Sequence, residues 1–163
     1  MVEIKRIRQL LGESPFFAGM SAAHLDTLAG CGRLVRFKAG DFLLRGGEKA
    51  DAFYLIREGI VSIESHVPAA GSVAVARVDA GGVTGFSWLF APHRNNFDSL
   101  ALSDGAAIAL DGECLRGKAE ADHELGYQLM RRFAQLMLER LQAARVQMLD
   151  IYANAGGVDA GPN

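Results

Sequence analysis

The run Phe37-Lys-Ala-Gly-Asp-Phe-Leu-Leu-Arg-Gly-Gly-Glu-Lys-Ala-Asp-Ala-Phe-Tyr-Leu-Ile-Arg-Glu-Gly-Ile-Val-Ser-Ile63 decides the fold. Its apolar stretches are too short for helices, and Gly40, Gly46-Gly47 and Gly59 cut them at close intervals. Short strands between glycine-bearing turns are how an all-β sandwich or barrel reads, because hairpin turns demand a positive φ that glycine adopts without steric cost. The same grammar holds from Arg33 to Leu110. Strands are predicted at Leu34–Phe37, Phe42–Leu44, Ala52–Arg57, Ile60–Ser65, Val73–Val78, Ser99–Leu102 and Ala106–Leu110. Turn signals fall between them at Ala39–Asp41, Gly46-Gly47, Glu58-Gly59, Pro68–Gly71 and Gly81-Gly82.

On both sides of this region the pattern is helical. Ile4, Ile7, Leu10 and Leu11 recur at helical spacing, Pro15 breaks the chain, and Ser21 caps a second piece beginning at Ala22. After Asp111 a short helical segment around Cys114–Lys118 precedes a long helix from about Asp122 to Tyr152. At 1.5 Å per residue such a helix is roughly 45 Å long, more than a domain of this mass is wide, so part of it must overhang and find another partner. It carries two stripes. Leu125, Leu129, Phe133 and Leu136 face the chain's own β domain. Tyr127, Met130, Ala134, Met137, Leu141, Ala144, Met148 and Ile151 alternate spacings of three and four, an a/d seam that suits a self-associating parallel helix pair, the alternatives being burial within the chain or another protein as partner. Residues 154–163, rich in Gly and ending Gly-Pro-Asn, have the composition of a disordered tail.

With 163 residues, half of them hydrophobic, the chain can bury a sizeable core in one domain without metal or disulfides. A net charge of −2 and a pI near 6.1 supply no basic field for nucleic acid. Mean hydropathy is +0.12, yet no apolar run approaches the ~20 residues that span a bilayer. The first residues mix both charge signs and lack the apolar stretch of a secretory signal, so the expected compartment is the cytoplasm. Cys31 and Cys114 stand far apart with no metal-type spacing, which reads as two reduced thiols.

Gly40, Gly47, Tyr54 and Gly59, together with the Phe-Tyr-Leu-Ile strand, stand at the spacing of the cyclic-nucleotide-binding domain family, which the chain resembles over roughly residues 12–152. The order of helix, β-roll and long helix is similar to the sensor half of catabolite-activator and Fnr-like regulators. The resemblance implies a mainly β fold with flanking helices: a double-stranded β-helix (β-roll or jelly roll) with an N-terminal helical unit and a long C-terminal helix. As one domain it spans 1–153, with the β-roll at about 33–110 and the dimer helix at about 122–152. Those regulators continue into a helix-turn-helix domain that reads the DNA major groove, whereas only a Gly-rich tail follows Tyr152, so no direct DNA binding is expected.

The resemblance also implies a ligand cassette at Gly85-Phe-Ser-Trp-Leu-Phe-Ala-Pro-His-Arg-Asn-Asn-Phe97. In the family a Gly-Glu pair starts a short helix whose glutamate holds the ribose, and a later arginine pairs with the cyclic phosphate; helix N–H groups plus a guanidinium suit one negative charge. Gly85 is kept, but Phe86 stands at the glutamate position, with Ser87 beside it. Asn96, or Asn95 in a loop one residue shorter, stands at the arginine position, with Arg94 adjacent. The two purine-contacting hydroxyls of the long helix fall at Ala144 and Arg145. Gly85, Ser87, Arg94, Asn95 and Asn96 are the candidates for the polar end of a ligand, with Phe86, Trp88 and Leu89 shaping the pocket. The alternative is that the aromatics plug a disused pocket.

Other motifs are bland. The four histidines lack metal spacing, His93 alone sits suggestively, and no nucleophile elbow or P-loop occurs. Arg131, Arg132, Arg140 and Arg145 read as a solvated basic band interrupted by Glu139. The resulting expectation is a non-enzymatic, homodimeric regulatory module. Its ligand is a cyclic nucleotide, another small anion or none, and cAMP and cGMP are doubtful fits. It would act through a protein effector and not through a membrane. The alternative is a ligand-free interaction scaffold.

Overall fold

Glycine turns at Gly40, Gly47 and Gly59, all at positive φ, fold the strands back on one another as their spacing predicts. The computed structural model describes residues 1–156. Among these residues eight strands form two antiparallel sheets: β1 (Gly32–Phe37), β2 (Phe42–Leu44), β3 (Ala52–Glu58), β4 (Val61–Val67), β5 (Gly71–Val78), β6 (Val83–Thr84), β7 (Asp98–Ala101) and β8 (Gly105–Asp111). One sheet runs β1-β8-β3-β6 and the other β2-β7-β4-β5. Gly59 shows why the turn residue cannot vary: a Cβ there would meet the Asp104 carbonyl oxygen at 2.7 Å.

The two faces of the first sheet define two cores. Phe37, Ile56, Val61, Ile63, Val78 and Ala107 fill the space between the sheets. Phe53, Leu55, Ile108 and Leu110 face outward, beneath the helices. β8 is therefore covered on both sides, and its Ala-Ala-Ile-Ala-Leu run shows no alternation. β6 was not among the predicted strands, because two residues between glycines are too few to display a period of two.

At the N-terminus, α1 (Val2–Glu13) and α2 (Ala22–Gly30) flank a 3-10 turn at Pro15–Phe17. Ser21 Oγ accepts the His24 N–H at 3.2 Å, the predicted cap. At the other end, α3 (Gly112–Ala121) starts where Asp111 Oδ1 accepts the Cys114 N–H at 2.7 Å. α4 (His123–Gly156) starts at Asp122, whose Oδ1 accepts from Glu124 and Leu125 N–H at 3.1 and 3.2 Å. The Leu125 N–H, aided by His24 and the Glu124 N–H, holds the Asp122 carboxyl below the usual range against the opposing effect of desolvation. The helix outruns its predicted end. Asn154, Ala155 and Gly156, expected in the tail, are its last turn, since extending a helix costs only one residue's ordering per new hydrogen bond. The rest of the expected tail, 157–163, lies outside the described residues.

The reading of Cys31 and Cys114 as reduced thiols is overturned: the two are disulfide-bonded, with Cα atoms 5.8 Å apart. Their separation of 83 residues hides a neighbourhood that topology creates. β1 pairs with β8, so the residue before β1 and the helix after β8 meet at one sheet end, where the Asp111 N–H donates to the Cys31 carbonyl at 2.9 Å. Among the described residues no helix is long and apolar enough to cross a membrane, and no three metal-ligating side chains converge.

Candidate ligand cassette beneath the long helix

The connection from β6 to β7 covers one end of the roll. It begins at Gly85, whose φ of +98° and approach to Leu44 Cδ1, 2.9 Å from a hypothetical Cβ, admit only glycine. A single 3-10 turn, Ser87–Leu89, follows. Trp88 points into the core beneath the helices and does not line the neighbouring cavity. It is 1% exposed, stacks on Phe53 at 5.3 Å and meets Phe133 of α4 edge-on at 5.5 Å. Its carbonyl accepts from Arg116 Nη1 of α3 at 2.7 Å, which ties the turn to that helix. Leu89 packs partly buried against the same core. The large apolar side chains of the turn thus serve the core and not a pocket wall, an outcome that burial of their area favours.

Arg94 also leaves the site. Residues 93–95 lie against 47–50: the Asn95 N–H donates to Glu48, Gly47 donates to the Asn95 carbonyl, and Ala50 donates to the His93 carbonyl, at 2.7–2.9 Å. In this extended pairing, neighbouring side chains alternate. Asn95 turns inward and donates to the Arg45 carbonyl at 3.1 Å, while the exposed Arg94 donates to the Gly47 carbonyl at 3.1 Å. His93 contributes its carbonyl and does not line the cavity.

Five of the eight sequence candidates do come together. Gly85, Phe86, Ser87, Asn95 and Asn96 line one cavity with Thr84, Ser99 and Arg140. Thr84 and Ser99 share a buried hydroxyl hydrogen bond of 2.6 Å. The cavity measures only about 20 Å³, room for one water. On the far side of Leu44 and Asn95 the mouth of the roll opens as a groove of about 620 Å³, which includes Arg33, Arg45 and Tyr54. Burial pushes the Tyr54 hydroxyl pKa up, and Arg33 opposes the shift.

Arg140 departs from the reading of its band as a solvated face. Its guanidinium reaches from α4 into the cavity, donates to the Val83 carbonyl and stands 5.8 Å from the Phe86 ring centre. Burial lowers its pKa to about 10, with Glu139 acting in the opposite sense. The sequence held a signal for this: four residues on from Leu136, along the core-facing stripe, the position is Arg140. Arg132 is tied down too, donating to the Ala18 carbonyl at 2.7 Å.

Along α4, Leu125, Leu129 and Phe133 are buried and Leu136 is partly so, as their stripe predicts. Of the second stripe, Met137 is half-buried, whereas Tyr127, Met130, Ala134, Leu141, Ala144, Met148 and Ile151 are exposed, Leu141 at 57% and Ile151 at 68%. Beyond Arg140 every described residue of the helix is exposed.

Comparison with known proteins agrees with this architecture. The model of the cyclic nucleotide-binding domain matches residues 34–122. Among solved structures, a cyclic nucleotide-binding domain from Methylobacillus flagellatus superposes with a TM-score of 0.75 at 20% identity, covering 90% of this chain and 83% of that one. The sensor domain of the transcriptional regulator DNR from Pseudomonas aeruginosa gives 0.69 at 18% identity, covering 87% and 95%. A curated relative, Glutaminase 1 of Bradyrhizobium diazoefficiens, is 29% identical over 140 residues, 85% of this chain. The chain spans only 22% of that protein's length. The matched residues include the glycine turns and the whole β6–β7 connection, and the chain belongs to the cyclic nucleotide-binding domain family.

Proposed function

We propose that this chain is a non-catalytic regulatory module, homodimeric through α4, that senses a small anionic ligand other than tightly held cAMP or cGMP. The observation that carries this reading is the cassette: Phe86, which the resemblance puts at the family's ribose-ligand position, and Asn96 or Asn95, one of which it puts at the phosphate-ligand position, line a cavity that has polar walls and a cation from α4. Differential affinity for two arrangements of α4 is how such a ligand would act, with a protein effector reading the helix pair. The glutaminase relative is matched over a small part of its length, so its activity stays with that protein. A net charge of −2 supports a protein or small-molecule partner over DNA. We place the module in the cytoplasm; the Cys31–Cys114 bond, of a kind rare among reducing thiols, is the observation that would move it to an oxidising compartment if the pair is found bonded in the cell.

Two measurements test this. Titrated calorimetrically with cAMP and cGMP, the chain should bind about two to four orders of magnitude more weakly than a member with both contacts intact, each missing charge-assisted bond costing roughly 1.5–3 kcal/mol. Tight, saturable cAMP binding refutes the divergence. In sedimentation, Leu141→Glu should convert a dimer to a monomer, because a carboxylate at a central seam position cannot be buried unpaired. An unchanged dimer removes the seam. A ligand-free scaffold is the second reading, favoured by the small size of the cavity, about 20 Å³.

A further inference from the structure

Arg140 is a cation set among neutral groups. The cavity wall around it offers the hydroxyls of Ser87, Thr84 and Ser99 and the amides of Asn95 and Asn96, and among the described residues no carboxylate. Glu139 is its neighbour on the helix but lines a different groove, and no ion pair forms between Arg140 and any described acidic residue. The guanidinium has five N–H donors, of which the Val83 carbonyl takes one. Its other nitrogens are not sealed off: Trp88 Nε1 is the one fully buried side-chain nitrogen or oxygen without a partner among the described residues. A half-buried cation whose remaining donors meet solvent, beside groups that both give and accept hydrogen bonds, has the makeup of an anion site.

We propose that Arg140 is the anion-holding group of this site, and that its ligand is a small nucleotide whose phosphate takes the guanidinium from the Val83 carbonyl. This rests on the ligand-sensing reading above and replaces the β-roll arginine with one from the helix. At about 20 Å³ the cavity is too small for a phosphate as it stands, so entry requires Arg140 to give up that carbonyl. Arg140 lies between Met137 and Leu141 of the seam, and exchanging a carbonyl on the β-roll for a ligand phosphate acts directly on the helix that carries the dimer contact.

The test titrates the full chain with AMP, GMP and guanosine, the last being neutral, and repeats the series on Arg140→Gln, Arg140→Lys and Arg94→Gln. At least one nucleotide should bind the parent about tenfold or more tighter than guanosine, the worth of one charge-assisted bond. Arg140→Gln should erase that difference with guanosine affinity unchanged, Arg140→Lys should keep part of it, and Arg94→Gln should leave it intact. In the parent, nucleotide affinity alone should fall as salt is raised, a readout that needs no variant. Equal nucleotide affinity in Arg140→Gln and parent, or guanosine bound as tightly as both nucleotides, overturns the assignment of Arg140 and leaves ligand sensing standing. Silence of the parent toward all three compounds overturns both.

Discussion

Cys31→Ser, unfolded in denaturant without reductant, is expected to lose about 4–5 kcal/mol of stability relative to the parent. That figure is the chain-entropy value for a closed loop of this length and an upper bound for real proteins. The bond joins the end of α2 to the first turn of α3, and so ties the N-terminal helical unit to the helix whose Arg116 holds the Trp88 carbonyl. Cys114→Ser should lose the same amount, and the double variant no more than either single one, since all three remove one cross-link. Adding a dithiol reductant to the parent should reproduce the variant's midpoint. Counting thiols provides the independent check. Denatured without reductant, the parent should react with no alkylating reagent, and two labels per chain would show that the pair is not bonded.

How much of this was legible in advance depends on the range of the interaction. Turn glycines and strands of three to seven residues are local signals, and Phe42–Leu44 and the Ser21 cap stand where the sequence places them. Gly85, Phe86, Ser87, Asn95 and Asn96 were found through the family resemblance, which fixes positions and not directions. Trp88 and Arg94 show the gap. Their place in the loop is right, but one turns into the aromatic core and the other outward, because the pairing of 93–95 with 47–50 is decided across some 45 residues of chain. The disulfide is hidden for the same reason. Arg140 was read from its charge alone, although the stripe that ends at Leu136 continues onto it; a long side chain can line a cavity while its charge keeps contact with water.

Phe133→Ala is the other large effect. Phe133 is fully buried where four parts of the fold converge: its ring meets Phe53 of β3 at 5.0 Å, Trp88 of the cassette turn at 5.5 Å and Phe16 of the N-terminal 3-10 turn at 5.1 Å, all in edge-on arrangements. Replacing the ring with a methyl group should cost about 3–5 kcal/mol in the denaturant midpoint at fixed protein concentration, the transfer term plus an unfilled cavity. Phe133→Leu, which keeps most of the volume, should cost markedly less, and a double variant with Trp88→Ala should fall short of the sum because the two rings share a contact. On the function proposed above, the consequence extends further. Arg140 lies about two turns further along the same helix, which would make the Phe133 cluster the fulcrum for the proposed movement of α4 when a ligand displaces Arg140. Phe133→Ala should therefore raise backbone hydrogen exchange in α4 beyond Phe133 and in 85–90 together, while β4 and β5, which pack in the other core, keep the parent's relative protection. A loss below about 1 kcal/mol, too small for a buried ring, would refute the packing of α4 on the cassette, and with it the route proposed from a ligand to a dimer.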